Sequence, residues 1–163
     1  MRHDDLTVRQ ATVADAVAVA SLFDAYRQFY GKAPDLALAE QFVRQRLSNG
    51  DSLILVAEAK SASAEPLGFV QLYPTFSSLG CNRAWILNDL FVAQHARRQG
   101  VAEALMNAAS DAAYRAGVSS LSLQTAHDNT AAQALYVKLG YVLDEDFRTY
   151  SLTVAPSEPH RLR

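Results

Sequence analysis

The sequence predicts a mixed α/β (α+β) domain, a central sheet of about six to seven strands flanked by four helices. Three observations carry this. Short runs at 6–11, 52–58, 67–73, 85–92, 118–125, 141–143 and 147–154 have the branched and aromatic content, or the period-two alternation, of strands. Four longer stretches repeat apolar residues at spacings of three and four. The strand–helix–strand succession from Trp85 to Thr125 demands a parallel pair joined by a crossover.

The elements follow in order. Leu6 to Ala11 alternates like a short strand. Thr12 is placed as an N-cap, with Asp15 three residues on, near a capping box. Val19, Phe23, Tyr26 and Tyr30 then share one helical face. Gly31 and Pro34 punctuate, and Leu36, Ala39, Val43 and Leu47 stripe a second helix that ends at Asn49-Gly50. The runs at 52–58 and 67–73 predict an antiparallel hairpin with a polar turn from Lys60 to Pro66, the second strand stopping at Pro74. Thr75 to Asn82 reads as a loop, and Trp85 to Val92 continues the meander. After Gly100 a helix runs to about Ala116, burying Val101, Leu105, Ala108 and Ala112. Val118 to Thr125 is a strand, and Asn129 opens a helix that carries Ala132, Leu135, Tyr136 and Leu139 on one side and is capped by Gly140. A terminal strand pair follows, at 141–143 and 147–154. Residues 1–155 therefore read as one domain, and 156–163 as a frayed tail.

Composition narrows the function. Half of the 163 residues are hydrophobic and a fifth are charged, enough for a real core. A net charge of −2 without a basic stripe argues against nucleic acid. The single cysteine, Cys81, permits no internal disulfide, and no His/Cys/Asp spacing suggests a metal. No apolar run approaches a membrane span, and the N-terminal residues lack a signal core. A cytoplasmic location is the expectation.

Asn88 to Ala102 is the most informative stretch. A buried-type strand ends in a basic, glycine-containing loop, which opens a helix. The first turn of a helix offers backbone N–H groups and the positive end of the dipole, and both suit a phosphate. Gly100 lets the backbone approach closely, and Arg97 and Arg98 add charge. The alternative is a plain strand-to-helix turn with solvated arginines.

The loop Arg97-Arg98-Gln99-Gly100-Val101-Ala102 resembles the Gln/Arg-x-x-Gly-x-Gly/Ala signature of GNAT-type acetyltransferases. A second segment resembles the same family: Asn129, Ala132, Leu135, Tyr136, Lys138, Gly140 and Tyr141 match its Asn-x-x-Ala-x-x-Leu-Tyr-x-Lys-x-Gly-Phe/Tyr pattern. Two segments in the right order, about 30 residues apart as a strand–helix–strand unit requires, are far more specific than either alone. The chain is therefore identified as a member of that family over roughly residues 6 to 154. Segments around Tyr26, Gly68 and Leu87 resemble the branch of yeast histone-type acetyltransferases, with diamine acetyltransferases similar in outline.

The resemblance implies the GNAT fold, acetyl-CoA as co-substrate, no metal and a primary amine acceptor. Backbone groups of Leu90, Phe91 and Val92 would meet the pantetheine arm and the developing oxyanion. Arg97, Arg98, Gln99, Gly100, Val101, Ala102 and Glu103 would hold the pyrophosphate, and Asn129 would bond the pantetheine or cap its own helix. Tyr136 would protonate the departing thiolate, since a phenol is protonated at neutral pH. The other reading of Tyr136 is a packed core tyrosine. Tyr26, Phe29 and Tyr30 would border the acceptor, or pack.

The base is the open question. An alkylamine is mostly protonated at pH 7, so presenting its neutral form costs about 4–5 kcal/mol. Asp89 is the candidate carboxylate, or else a structural one bonded to a loop. Diamine acetyltransferases commonly carry a glutamate just before this aspartate; here that position is Asn88, which would orient a water instead. Adjacent strand residues face opposite sides, so Asn88 and Asp89 share a site only if a bulge intervenes. His95 and His127 read as loop residues. The competing class is a silent acyl-CoA-binding or sensor module on the same fold. The family's habit of dimerising, with an edge strand at 147–154, implies a homodimer.

Overall fold

The computed structural model describes residues 5–60 and 65–154. The expected tail at 156–163 and the middle of the Lys60–Pro66 turn lie outside the described residues. The chain divides into two compact units, one up to Asn129 and one from Thr130 onward.

The first unit is built on a five-stranded sheet in the order β1-β2-β3-β4-β5, with β1 Leu6–Gln10, β2 Leu53–Ala59, β3 Gly68–Ser77, β4 Asn82–Val92 and β5 Ser120–Leu123. The first four are antiparallel neighbours and β5 runs parallel to β4. Helices α1 (Ala16–Phe29) and α2 (Leu36–Asn49) precede β2, and α3 (Val101–Arg115) makes the crossover from β4 to β5. One apolar layer joins Ala16, Val19 and Leu22 of α1 and Val43 of α2 to Ile54, Val56, Phe69 and Phe91 of the sheet. Burial of a side chain such as Phe69 stabilises the fold by about 1.5–3 kcal/mol. The other face of β3 looks toward α3: a β-carbon on Gly68 would stand 3.3 Å from the Leu105 side chain.

Local chemistry sets the ends. The Thr12 N–H donates to Asp15 Oδ2 at 2.7 Å, one half of the predicted capping box, ahead of a short 3-10 turn at Val13–Asp15 that leads into α1. Arg9 reaches both Asp15 (2.7 Å) and Glu58 (2.6 Å), tying β1, this turn and β2 together. Asp24, buried in α1, accepts the Asp35 N–H at 2.9 Å and the Gln28 and Arg27 side chains, which fixes the connection to α2.

Three expectations change in this unit. β3 does not stop at Pro74 but runs on to Ser77, pairing Pro74 with Trp85, so the expected loop shrinks to 78–81. Partner β2 has already ended at the Leu53–Leu72 pair, so β3 has an open edge there and a residue without an N–H is tolerated. The buried stripe of α3 is Val101, Ala104, Leu105, Met106, Ala109 and Ala113, with Ala108 and Ala112 only half-buried. Alanines line both flanks of this helix, so spacing alone does not choose between them.

In the second unit, α4 spans Thr130–Lys138. Its end is a Schellman motif: Gly140 has φ +87°, its N–H donates to Val137 O, and the Tyr141 N–H donates to Tyr136 O. The terminal strand pair expected at 141–143 and 147–154 is not formed among the described residues, so the sheet has five strands rather than six or seven. Asp144 Oδ1 accepts the N–H groups of Asp146 and Phe147, which makes the turn between the two runs. Alternation prescribes an extended chain with one apolar side; a strand also needs a hydrogen-bonded ladder.

Candidate active site

One inserted residue organises the polar centre of the first unit. In the β3–β4 ladder Gln71 faces Asp89 and the next residue, Leu72, faces Leu87, so Asn88 is left over as a bulge. The bulge places the two neighbours within reach of each other: Asn88 Nδ2 donates to Asp89 Oδ1 at 3.1 Å. It also changes which layer the strand serves. Leu87 shares the side of Leu72, whereas Asp89 and Phe91 share the side of Gln71 and Phe69, beneath α1 and α2.

Asp89 is 5 % exposed and Gln71 1 % exposed, so their polar atoms must be satisfied from within. Gln71 Nε2 donates to Asp89 Oδ2 at 2.7 Å, and Ser52 Oγ lies 3.1 Å from Gln71 Oε1. Burial pushes the Tyr73 phenol up to about 12, and the Asp89 charge adds to the shift. Tyr73 therefore stays protonated at neutral pH beside the carboxylate. Gln71, Ser52 and Tyr73 are site residues that the sequence reading missed. The available signal was Gln71, a long amide inside the otherwise apolar run from Leu67 to Leu72.

An aromatic wall stands next to this centre. Tyr26 is half-buried and meets Phe69, Phe91 and Tyr30 at ring-centre distances of 6.2, 6.1 and 5.1 Å. Phe29 packs edge-on to Tyr30 at 5.2 Å, and both are exposed. Of the three predicted acceptor residues, Tyr26 packs into the core edge while Phe29 and Tyr30 present surface.

The far edge of β4 is open. Its ladder with β5 covers only Ala84–Leu87 against Ser120–Leu123, so among the described residues no strand pairs with Asn88–Val92 on that side. Leu90, Phe91 and Val92 lie in this open stretch. A 3-10 turn at Gln94–Ala96 follows, then the loop that carries the first motif. Arg98 (φ +58°) and Gly100 (φ +82°) are both left-handed, and α3 starts directly after. Val101, Ala102 and Glu103 form its first turn, ahead of the helical ladder that begins with the Ala104 N–H on Gly100 O at 2.9 Å. Gln99 Nε2 donates to His95 O at 2.8 Å and braces the loop. Arg97 turns toward the aromatic wall: its guanidinium lies 5.8 Å from the Phe29 ring centre and 5.7 Å from that of Phe91, and its Nε donates to Val92 O at 3.3 Å.

Asn129, at the end of the first unit, donates from Nδ2 to Thr125 Oγ1 at 3.3 Å. Tyr136 lies on α4 in the second unit, its ring 6.1 Å from that of Tyr141. Among the described residues, no three His, Cys, Asp or Glu side chains gather as a metal site, and no helix is long and apolar enough to cross a membrane.

The mixed sheet, the crossover helix and their order are those of the GNAT fold. Residues 19–141 match the family model for the Acetyltransferase (GNAT) family, and the chain belongs to that family. An N-acetyltransferase of Bacillus subtilis (strain 168), YhfO, described as uncharacterized, is 48% identical over 149 residues, which is 91% of this chain and 98% of that protein. A probable acetyltransferase of Haemophilus influenzae is 39% identical over 90 residues, 55% of this chain and 60% of that protein. The crystal structure of a probable acetyltransferase superimposes with a TM-score of 0.86 at 38% identity, covering 92% of this chain and 99% of that one. GNAT acetyltransferases use acetyl-CoA and act on amine acceptors, and this chain is an acetyltransferase.

Proposed function

We propose that the protein transfers the acetyl group of acetyl-CoA to a primary amine by direct attack, with Asp89 receiving the amine and its proton. The observation that carries this reading is the open edge of β4 from Asn88 to Val92, which begins at the bulge bearing the buried Asp89 carboxylate and leads through a left-handed Gly100 into α3. An extended pantetheine arm adds to such an edge as a strand would, while the first turn of α3 and Arg98 take the pyrophosphate.

The chemistry then needs three groups. A carboxylate hydrogen-bonded to the ammonium accepts its proton as the nitrogen turns nucleophilic, and general-base help of this kind contributes roughly 10²–10⁴-fold. Backbone N–H groups of the open edge take the charge that develops on the thioester oxygen. Tyr136 donates a proton to the leaving thiolate. In this reading both units serve one catalytic domain, residues 1–155, as the family match across 19–141 supports. Phe29 and Tyr30 line the acceptor entrance, where aromatic faces suit a cation or an alkyl stem.

The test is CoA thiol release with polyamines, D- and L-amino acids, a lysine peptide and an aminoglycoside, beside Tyr136→Phe. The histone-type and diamine resemblances put the lysine peptide and the polyamines first. Turnover with one acceptor class, strongly slowed by Tyr136→Phe, is the expected result. Turnover untouched by that substitution removes Tyr136 from the mechanism. Acetyl-CoA binding without turnover of any amine favours the sensor module, which the amide at Asn88 in place of a second carboxylate keeps in view.

The protein acts as a homodimer in the cytoplasm in this reading. Support for the dimer is the exposed apolar run of Val142, Leu143, Phe147, Tyr150, Leu152 and Val154. A monomeric mass by light scattering at micromolar concentration would refute it.

A further inference from the structure

We propose that Gln71, held by Ser52, is a positioning residue that clamps the Asp89 carboxylate for the reaction; this rests on the reading of Asp89 as the group that meets the amine. Gln71 stands on the side of β3 that also carries Phe69 and pairs with Ile54 of β2. Packing alone would be served there by an apolar side chain of the same volume. Burying an amide costs free energy unless each end is bonded. Here each end is bonded, and in one direction only. Nε2 can donate but not accept, and it meets the acceptor-only oxygen of Asp89 at 2.7 Å. That leaves Oε1 as the acceptor end, and the Ser52 hydroxyl 3.1 Å away donates to it. Turned over, the amide would set oxygen against carboxylate.

The second carboxylate oxygen is held as well, by Asn88 Nδ2 at 3.1 Å. Two amides, one from each strand of the ladder, thus fix the plane of the carboxylate, and each oxygen retains a lone pair for another partner. A base needs such a fixed aim, because proton transfer requires heavy atoms within about 2.6–3.2 Å. The Ser52–Gln71 chain supplies it from β3 and the residue just before β2, without touching the substrate.

The experiment is a double-mutant cycle on initial rates at saturating acetyl-CoA, the acceptor being whichever amine of the panel above turns over fastest. Asp89→Asn, Gln71→Met and the pair are compared, with Ser52→Ala alone. Gln71→Met should lower kcat about 10- to 100-fold in the native background and less than about twofold in Asp89→Asn, because residues acting through one another are not additive. The KM for acetyl-CoA should hold. Ser52→Ala, at a half-buried strand end, should lower kcat about three- to tenfold, and it carries the test if Gln71→Met does not fold. Equal losses from Gln71→Met in both backgrounds overturn the proposal and leave the Asp89 reading standing. So does a native kcat in Ser52→Ala together with a native kcat in folded Gln71→Met. A native rate in Asp89→Asn, or no turnover of any panel amine, overturns both readings together.

Discussion

The guanidinium of Arg97 rests against the ring of Phe29, 5.8 Å from its centre, while the Arg97 Nε holds the Val92 carbonyl. One side chain of the motif loop therefore joins the end of α1 to the open end of β4. An exposed cation–π contact contributes about 0.5–1 kcal/mol. Arg97→Ala should raise the KM of the amine roughly two- to fivefold on that scale and leave the acetyl-CoA KM nearly unchanged. Arg98→Ala should do the reverse. Equal effects on acetyl-CoA from both would mean that Arg97 swings to the phosphates when the co-substrate binds.

Gly68 sits where no side chain fits. A β-carbon there would lie 2.6 Å from Phe91 O and 3.2 Å from Val92 Cα, both backbone atoms that cannot swing aside. Gly68→Ala should cost about 1–3 kcal/mol, lowering the melting temperature by roughly 2–4 °C for each kcal/mol in a chain of this size. Because the strain falls on the open end of β4, activity should drop further than stability at 25 °C. A melting curve like that of the native protein would refute this.

Gly100 precedes α3 with φ +82°. An alanine there adopts the left-handed region at a cost of about 1–2 kcal/mol. Gly100→Ala should show that loss in urea unfolding and a higher acetyl-CoA KM, with the amine KM unmoved. A KM change for the amine alone would detach the loop from the co-substrate.

Stability should fall at both ends of the pH scale for different reasons. The Asp35 N–H foremost, then Gln28 and Arg27, hold the Asp24 carboxyl below the usual carboxylate range, and Arg9 does so for Asp15. Depressed groups of this kind contribute stability that is present above the unfolded-state value and lost as pH falls below about 4. Tyr73 has the opposite sign. Its phenol is raised to about 12 in the fold from an ordinary 10.0, so its contribution is intact below 10.0 and declines as pH rises toward 12. Urea midpoints should therefore slope downward below pH 4 and again above pH 10. Tyr73→Phe should flatten the alkaline slope and Asp24→Asn the acid one.

Much of this was legible in the sequence because it is local. The strand through Phe91, the glycine before α3 and the apolar spacing of Val19, Phe23 and Tyr26 each depend on neighbours a few residues away. What was not legible depends on a partner strand. The bulge at Asn88 exists only as a mismatch with Gln71 and Leu72, so a single strand read alone does not reveal it. Gln71 reads as one residue of an apolar run until Asp89 is set opposite. Pro74 reads as a stop until β2 is seen to have ended first. Arg97 carries charge suited to a phosphate, yet Phe29, far away in sequence, is what it meets.

The leftover residue in β4 has a consequence of its own. With Asn88 excised, Leu87 would still face Leu72 and Asp89 would still face Gln71, and every other pair would keep its place. Asn88 is thus a spare rung, one that the ladder could lose while becoming more regular. Substituting it changes a side chain, whereas deleting it straightens the strand beneath an unaltered set of neighbours. The deletion would separate what the backbone detour does for acetyl transfer from what the asparagine amide does, in a protein expected to remain folded.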